Sequence, residues 1–106
     1  MNYRYMRVIV MFDLPVTTTL GRREYTQFRK FLVKDGFVKM QESIYCKLAQ
    51  NQFAANALID HVKKNKPSSG LVQILTVTEK QYANMVLVVG SSKSDVITSS
   101  DRLVVL

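Results

Sequence analysis

Cysteine and histidine are almost missing from this chain, with Cys46 and His61 the sole example of each. One cysteine cannot close an internal disulfide, so a reducing compartment, the cytoplasm, is expected. One of each also excludes a zinc site or a Cys–His nucleophile pair built within a single chain. Gly21, Gly36, Gly70 and Gly90 are widely spaced, which leaves no glycine-rich loop to cradle a phosphate. No apolar run approaches the roughly 20 residues that span a bilayer, and no membrane association is expected. The opening Met1-Asn2-Tyr3-Arg4-Tyr5-Met6-Arg7 passes straight into strand-like sequence without a signal-peptide cleavage site. His61, beside Val62 in a helical stretch, reads as a surface or packing residue. Cys46 alternates with Ile44 and Leu48 and reads as a small buried residue.

Acidic residues are also scarce. Eight Asp and Glu stand against fifteen Lys and Arg, a formal net charge of +7 on 106 residues, which is one domain's length. A positive field on so small a body attracts polyanions, although solubility alone would also account for it.

Residues 4–12 are β-branched and aromatic and read as a strand that runs to Asp13 and is ended by Leu14-Pro15. Alternation places Met6, Val8, Val10 and Phe12 on one face and Tyr5, Arg7, Ile9, Met11 and Asp13 on the other. Thr17, Thr18 and Thr19 offer N-caps for a helix from about Leu20 to Lys34, striped by Tyr25, Phe28, Phe31 and Leu32 and stopped by Asp35-Gly36. Phe37–Gln41 and Ser43–Leu48 read as two short strands with a turn near Glu42, or as one bent strand. Gln52–Lys64 reads as a second helix with Phe53, Ala54, Ala57, Leu58 and Val62 inward. Leu71–Thr78 and Met85–Val89 read as strands, followed by a serine-rich loop and a short apolar segment, Leu103–Leu106.

The order is β-α-β-β-α-β with a C-terminal β extension, an α+β, ferredoxin-like pattern with helices on one sheet face. Residues 1–90 form the domain, and 91–106 a flexible loop and terminal strand. Two helices cover only one face, which leaves Ile9 and Met11 in water at about 25 cal/mol per Å². A homodimer packed sheet to sheet would cover them, and Leu103, Val104 and Val105 would pair with the other protomer's edge or a partner.

Asp13 is the candidate for chemistry. It ends a strand on the open face, and a carboxylate is a hard oxygen ligand of the kind Mg²⁺ takes. Two copies in a dimer, with water and phosphate, would complete an octahedron able to polarise a phosphodiester. Asp-Leu-Pro also makes an ordinary turn, and that reading stays open. Arg22 and Arg23, in a first helical turn that prefers anions, suggest phosphate contacts or solvated charges. Arg29 and Lys39 are further nucleic-acid-binding candidates. Tyr3, Tyr5, Tyr25 and Tyr45 could stack on bases or belong to core and interface.

Val8-Ile-Val-Met-Phe-Asp13-Leu-Pro, then Arg22-Arg23-Glu24-Tyr25 and Phe28-Arg29-Lys30-Phe31-Leu32, resemble the small subunit of the CRISPR spacer-acquisition integrase complex. Asp35-Gly36-Phe37 with Gln41-Glu42-Ser43-Ile44-Tyr45 resembles it too, and Leu75–Tyr82 is similar to the branch accompanying single-effector RNA-guided systems. The resemblance covers nearly the whole chain. It implies a ferredoxin-like homodimer and an endonuclease acting on RNA or DNA, with Asp13 as catalytic ligand of Mg²⁺ or Mn²⁺. It also implies a dimer that bridges integrase subunits and supports duplex prespacer DNA on basic surfaces. Arg22, Arg23, Gln41, Ser43 and Tyr45 fall in the family's segments as nucleic-acid-binding candidates. The alternatives are a stand-alone endoribonuclease resembling toxin-type mRNA-cleaving enzymes, and a sensor or RNA-recognition module. The last lacks the usual aromatic signature in Leu71–Thr78.

Overall fold

The computed structural model describes residues 4–90. The expected terminal segment with Leu103, Val104 and Val105, and the serine-rich loop before it, lie outside the described residues. The elements are β1 (Met6–Asp13), α1 (Thr19–Lys34), β2 (Val38–Gln41), β3 (Ile44–Ala49), α2 (Gln52–Lys64), β4 (Leu71–Thr78) and α3 (Glu79–Ala83). The four strands lie in the order β2-β3-β1-β4, every neighbouring pair antiparallel, which is the ferredoxin-like sheet expected from the β-α-β-β-α-β order. Phe37–Leu48 is therefore a hairpin and not one bent strand, with a register irregularity between Lys39 and Gln41.

Local chemistry sets these boundaries. Thr18 caps α1 by accepting from Gly21 N at 2.9 Å, and Asn51 caps α2 by accepting from Ala54 N at 2.8 Å. At the other end of α1, the Lys47 ammonium donates to Asp35 O at 2.6 Å, placing a cation against the helix's negative end. Met6, Val8, Val10 and Phe12 of β1 join Phe28 and Leu32 of α1 and Ala55 and Val62 of α2 in the core between sheet and helices. The face of α2 differs in part from the expected one. Ala54, Leu58 and Val62 pack inward as expected, with Ala55 and Ile59 beside them, but Ala57 is exposed and Phe53, four-fifths out in water at 83%, lies on the outer side.

Two expectations about the open sheet face are corrected. Ile9 is buried, at 7% exposure, in the single chain. It lies between Cys46 and Leu75 across the sheet, and α3, which the sequence did not announce, swings Tyr82 over this region. Tyr82 Oη is 3.9 Å from Cys46 Sγ, and its ring lies 4.2 Å below the Arg7 guanidinium. The apolar surface left on this face is Leu48, Leu71 and Leu75, with Met11 half-buried. The second correction is Met85–Val89, which forms no strand. A capping box between Thr78 and Gln81 starts α3 directly after β4 and ends the strand, and the apolar residues beyond α3 are left exposed. Among the described residues, no helix is long and apolar enough to cross a membrane.

Gly21 yields the sharpest stability prediction. In most helix interiors Gly→Ala is favourable by about 1 kcal/mol. Here a Cβ would sit at 2.3 Å from the Pro15 carbonyl oxygen and 3.0 Å from the Thr18 cap hydroxyl. Gly21→Ala should therefore lower stability by about 1–3 kcal/mol, the range for an overpacked site, in urea or thermal melts. An unchanged or raised midpoint would show that the Pro15 turn is free to move.

Candidate active site

Asp13 is the last residue of β1, and the strand's alternation decides where it points. Phe12 turns into the core, so Asp13 emerges on the open face and is solvent-exposed. Pairing with β4 sets Leu71 opposite Asp13 and Gln73 opposite Met11, while pairing with β3 sets Ile44 on Met11's other side. Together with the β2–β3 corner these residues enclose a cavity of about 240 Å³, lined by Met11, Phe12, Asp13, Glu42, Ser43, Ile44, Leu71 and Gln73. Gly70 precedes β4 and packs against Asp13 and Leu14. Its φ of +92° is a backbone region that side chains rarely adopt, and a Cβ there would meet the Leu14 side chain and Asp13 O at 2.6 and 2.9 Å.

The corner opposite Asp13 is equally constrained. Glu42 and Ser43 alone connect the paired residues Gln41 and Ile44, and Ser43 carries a φ of +63°. That costs a non-glycine residue about 1–2 kcal/mol. Phe12 N donates to Ser43 O at 3.1 Å, and the Ser43 and Tyr25 hydroxyls are 3.3 Å apart. Glu42 pairs with Lys39, whose Nζ lies 3.0 Å from Oε1 and donates to Oε2 at 3.3 Å, and that hydrogen bond raises the lysine pKa. Asp13 and Glu42 are thus two hard oxygen donors on one cavity. Among the described residues no group of three or more His, Cys, Asp or Glu could hold a metal. One or two carboxylates, with water and substrate phosphate for the remainder, is nonetheless the set a Mg²⁺ ion accepts.

The other expected site residues divide. Arg22 and Arg23 come together with Lys30 in a shallow groove of about 520 Å³ along α1, lined also by Thr19, Thr26 and Gln27. This groove is on the helix-covered side of the sheet, away from the face on which Asp13 emerges. Arg29 is half-buried and does not line it. Lys39 and Gln41 are exposed on β2. Tyr45 is corrected: it is 2% exposed, opposite Val10 on the core side and stacked on Phe12 at 5.9 Å, so it cannot meet a base. Of the dimer candidates, Met11 lines the cavity and Ile9 lies beneath the Tyr82 region.

Sequence reasoning missed Glu42, Leu71 and Gln73 as cavity residues, since strand register places them there and register is not readable without the pairing. Lys30 was findable, being eight positions after Arg22 on the same helical face. The Arg7 cluster was missed with α3. Arg7 donates to Glu79 at 3.0 and 2.6 Å, and these hydrogen bonds hold the guanidinium pKa above its ordinary value. Burial, with the Cys46 thiol adjacent, raises that of Tyr82.

Fold and cavity together define a small ferredoxin-like protein with a strand-end carboxylate on the open side of its sheet. The family model for CRISPR associated protein Cas2 matches residues 6–85. A relative from Treponema denticola, named CRISPR-associated endoribonuclease Cas2, is 50% identical over 101 residues, which cover 95% of this chain and 100% of the relative. Relatives of the same name from Streptococcus mutans strain UA159 and Acidovorax ebreus are 45% and 47% identical, over 95% and 80% of this chain and 93% and 83% of their own lengths. The chain belongs to the Cas2 family.

Proposed function

We propose that this protein is a CRISPR-associated endonuclease of the adaptation machinery, with its phosphodiester chemistry at Asp13 and a separate nucleic-acid support on α1. The observation that carries the first part is the cavity in which Asp13 faces the Glu42–Ser43 corner. Asp13, with Glu42 beside it, would hold a Mg²⁺ ion, which when bound polarises the phosphodiester and lowers the pKa of attacking water. The chain's own residues do the remainder. Met11, Ile44 and Leu71 would form the apolar side against which the substrate lies, and Gln73 and Ser43 would present hydrogen-bonding groups to the backbone. RNA is the favoured substrate, because the relatives are named endoribonucleases.

A second role is favoured by where the arginines lie. A duplex laid along Arg22, Arg23 and Lys30 would be carried on the opposite side of the sheet from Asp13. Such a protein holds DNA for a partner, an integrase subunit of the same complex, independently of its own cleavage site. A second copy of the chain fits the open face. Leu48, Leu71 and Leu75, together with the exposed run Met85–Val89, are apolar surface that association would remove from water.

Three measurements test this reading. Asp13→Asn preserves shape and removes the charge, and should slow Mg²⁺-dependent RNA cleavage on the order of 100-fold or more. Equal rates would place the chemistry elsewhere. Arg22→Ala with Arg23→Ala should leave that cleavage largely intact and reduce the salt slope of duplex DNA binding by roughly 2, at about 0.9 for each lost phosphate. Salt-independent binding would remove the support role. Sedimentation at micromolar concentration should give a dimer that Leu75→Glu dissociates, and a wild-type monomer would overturn the assembly.

A further inference from the structure

We infer that the cleft between α1 and the α2–β4 connection binds a free guanine mononucleotide, with Glu24 reading the base. This is a ligand site separate from the cleavage and support roles, and it shares no residue with the Asp13 cavity. The cleft holds about 230 Å³ and is lined by Glu24, Gln27, Phe31, Asn65, Lys66 and Pro67, together with the buried Phe28. Pockets for drug-sized molecules run to about 300–1,000 Å³, so a small ligand of one or two rings is the scale that fits.

The cleft joins an aromatic wall to a polar rim. Phe31 is half-buried, lies nearly parallel to Phe28 with centroids 6.2 Å apart, and meets the His61 ring edge-on at 5.1 Å. A ring held in this way is a stacking platform, and Pro67 adds a second rigid apolar surface. Around them stand one carboxylate, two amides and one ammonium. A purely anionic ligand would meet Glu24 and a purely cationic one Lys66, so neither suits. A planar ring with donors on one edge and acceptors on another suits both. Nucleobases have this character, and they stack on aromatic side chains.

Hydrogen-bond accounting selects the base. Glu24 accepts from the Ser68 hydroxyl through Oε2 at 2.6 Å, which orients the carboxylate and leaves Oε1 without a described partner. Asn65 Nδ2 donates to His61 O at 2.9 Å, which leaves its Oδ1 as a second acceptor. Neither Glu24 nor Lys66 makes an ion pair with a described residue. The rim at Glu24 therefore calls for adjacent donors, and Lys66 for acceptors. Guanine alone among the common bases presents two adjacent donors, N1–H and N2–H, on its Watson–Crick edge, and its O6 and N7 are acceptors that suit a lysine. Adenine would turn its N1 lone pair towards the carboxylate. A phosphate on the ligand meets positive potential, since Lys66 follows Lys63 and Lys64 at the basic end of α2.

The test is isothermal titration of the native chain with GMP, AMP, CMP and UMP, repeated for Glu24→Gln, Lys66→Ala and Asp13→Asn. GMP should bind with a Kd of about 10–1,000 µM, the range open to a ligand of this size. The other nucleotides should bind about tenfold more weakly, because each leaves a polar group of the rim unmatched. Glu24→Gln keeps an acceptor for Ser68, so its melting midpoint should match that of wild type while GMP binding weakens about tenfold, the effect of losing hydrogen bonds to a charged group. Lys66→Ala, at an exposed position, should weaken GMP several-fold with the fold unchanged. Asp13→Asn should bind GMP as wild type does, whatever becomes of RNA cleavage. Loss of binding in that variant would move the nucleotide to the Asp13 cavity and overturn the inference. Equal affinity for all four nucleotides, indifferent to Glu24→Gln, would leave only a phosphate on a basic surface and would overturn it too. So would the absence of binding at millimolar GMP, even where a short RNA with one unpaired guanosine binds, because the cleft would then serve a strand and not a free nucleotide.

Discussion

Phe12 is the residue on which the rest of the architecture turns. Its ring meets Phe28 edge-on at 5.1 Å, Tyr25 at 5.7 Å and Tyr45 at 5.9 Å, joining β1, α1 and β3 through one side chain. Such aromatic pairs each contribute about 0.5–1.5 kcal/mol beyond the area they bury. The consequence for function comes from the period of a strand. With Phe12 locked inward, Asp13 has no choice but to leave on the other face, and a slip of one residue would bury the carboxylate and expose the ring. The Phe12 amide then reaches Ser43 O, so the core also sets the far wall of the cavity.

The open face is less open than a bare two-helix, four-stranded layer would make it. Glu79 N donates to Tyr5 O at 2.9 Å, fastening the start of α3 to the chain just before β1. Glu79 also pairs with Arg7, whose guanidinium rests on Tyr82. Because this pair is half-exposed, its Coulombic value is modest, and geometry is its larger contribution. It covers Arg7 and Ile9 while Leu48 and Leu75 beside them stay exposed, and it leaves the end around Asp13 accessible. The polar half of the face is thus structural, and the half with the carboxylate stays available to ligand or to a second copy.

Much of this was legible in the residues. Phe28 and Leu32 at helical spacing, Thr18 before α1, Gly36 after it and the alternation of β1 all point to the elements that form, because each signal is local. What was not legible depends on tertiary choice. Met85–Val89 has strand-like composition, yet the Thr78–Gln81 capping box wins by starting α3. Tyr45 has the chemistry of a base-stacking residue, but its partner Val10 faces the core, and only the pairing of β3 with β1 reveals that. The residues alone leave Ile9 in water, because nothing in the sequence says that a tyrosine from beyond β4 folds back. For the site, Asp13 was readable from its strand end, whereas Glu42 and Gln73 become its neighbours only through register.

The distribution of acidic groups gives Asp13 its distinct standing. Among the described residues, Glu79 is paired with Arg7, Glu42 with Lys39 and Asp35 with His61 at 3.1 Å, and Glu24 accepts from the Ser68 hydroxyl. Each of these carboxylates has at least one partner in the chain, although the second oxygen of Asp35 is buried without one and Glu42 also lines the Asp13 cavity. Asp60 lies on the exposed face of α2, where solvation is sufficient. Asp13 is different from both groups: it makes no ion pair with a described residue, yet it stands in a cavity whose other walls are mostly apolar. The carboxylate is solvent-exposed there, and a cation brought in with a ligand is its natural complement. In a chain of net charge +7, leaving one carboxylate without a basic partner at the end of the central strand gives that position an electrostatic character opposite to the α1 surface. The α1 surface suits a polyanion's backbone, and the Asp13 cavity suits the cation needed to act on one of its bonds.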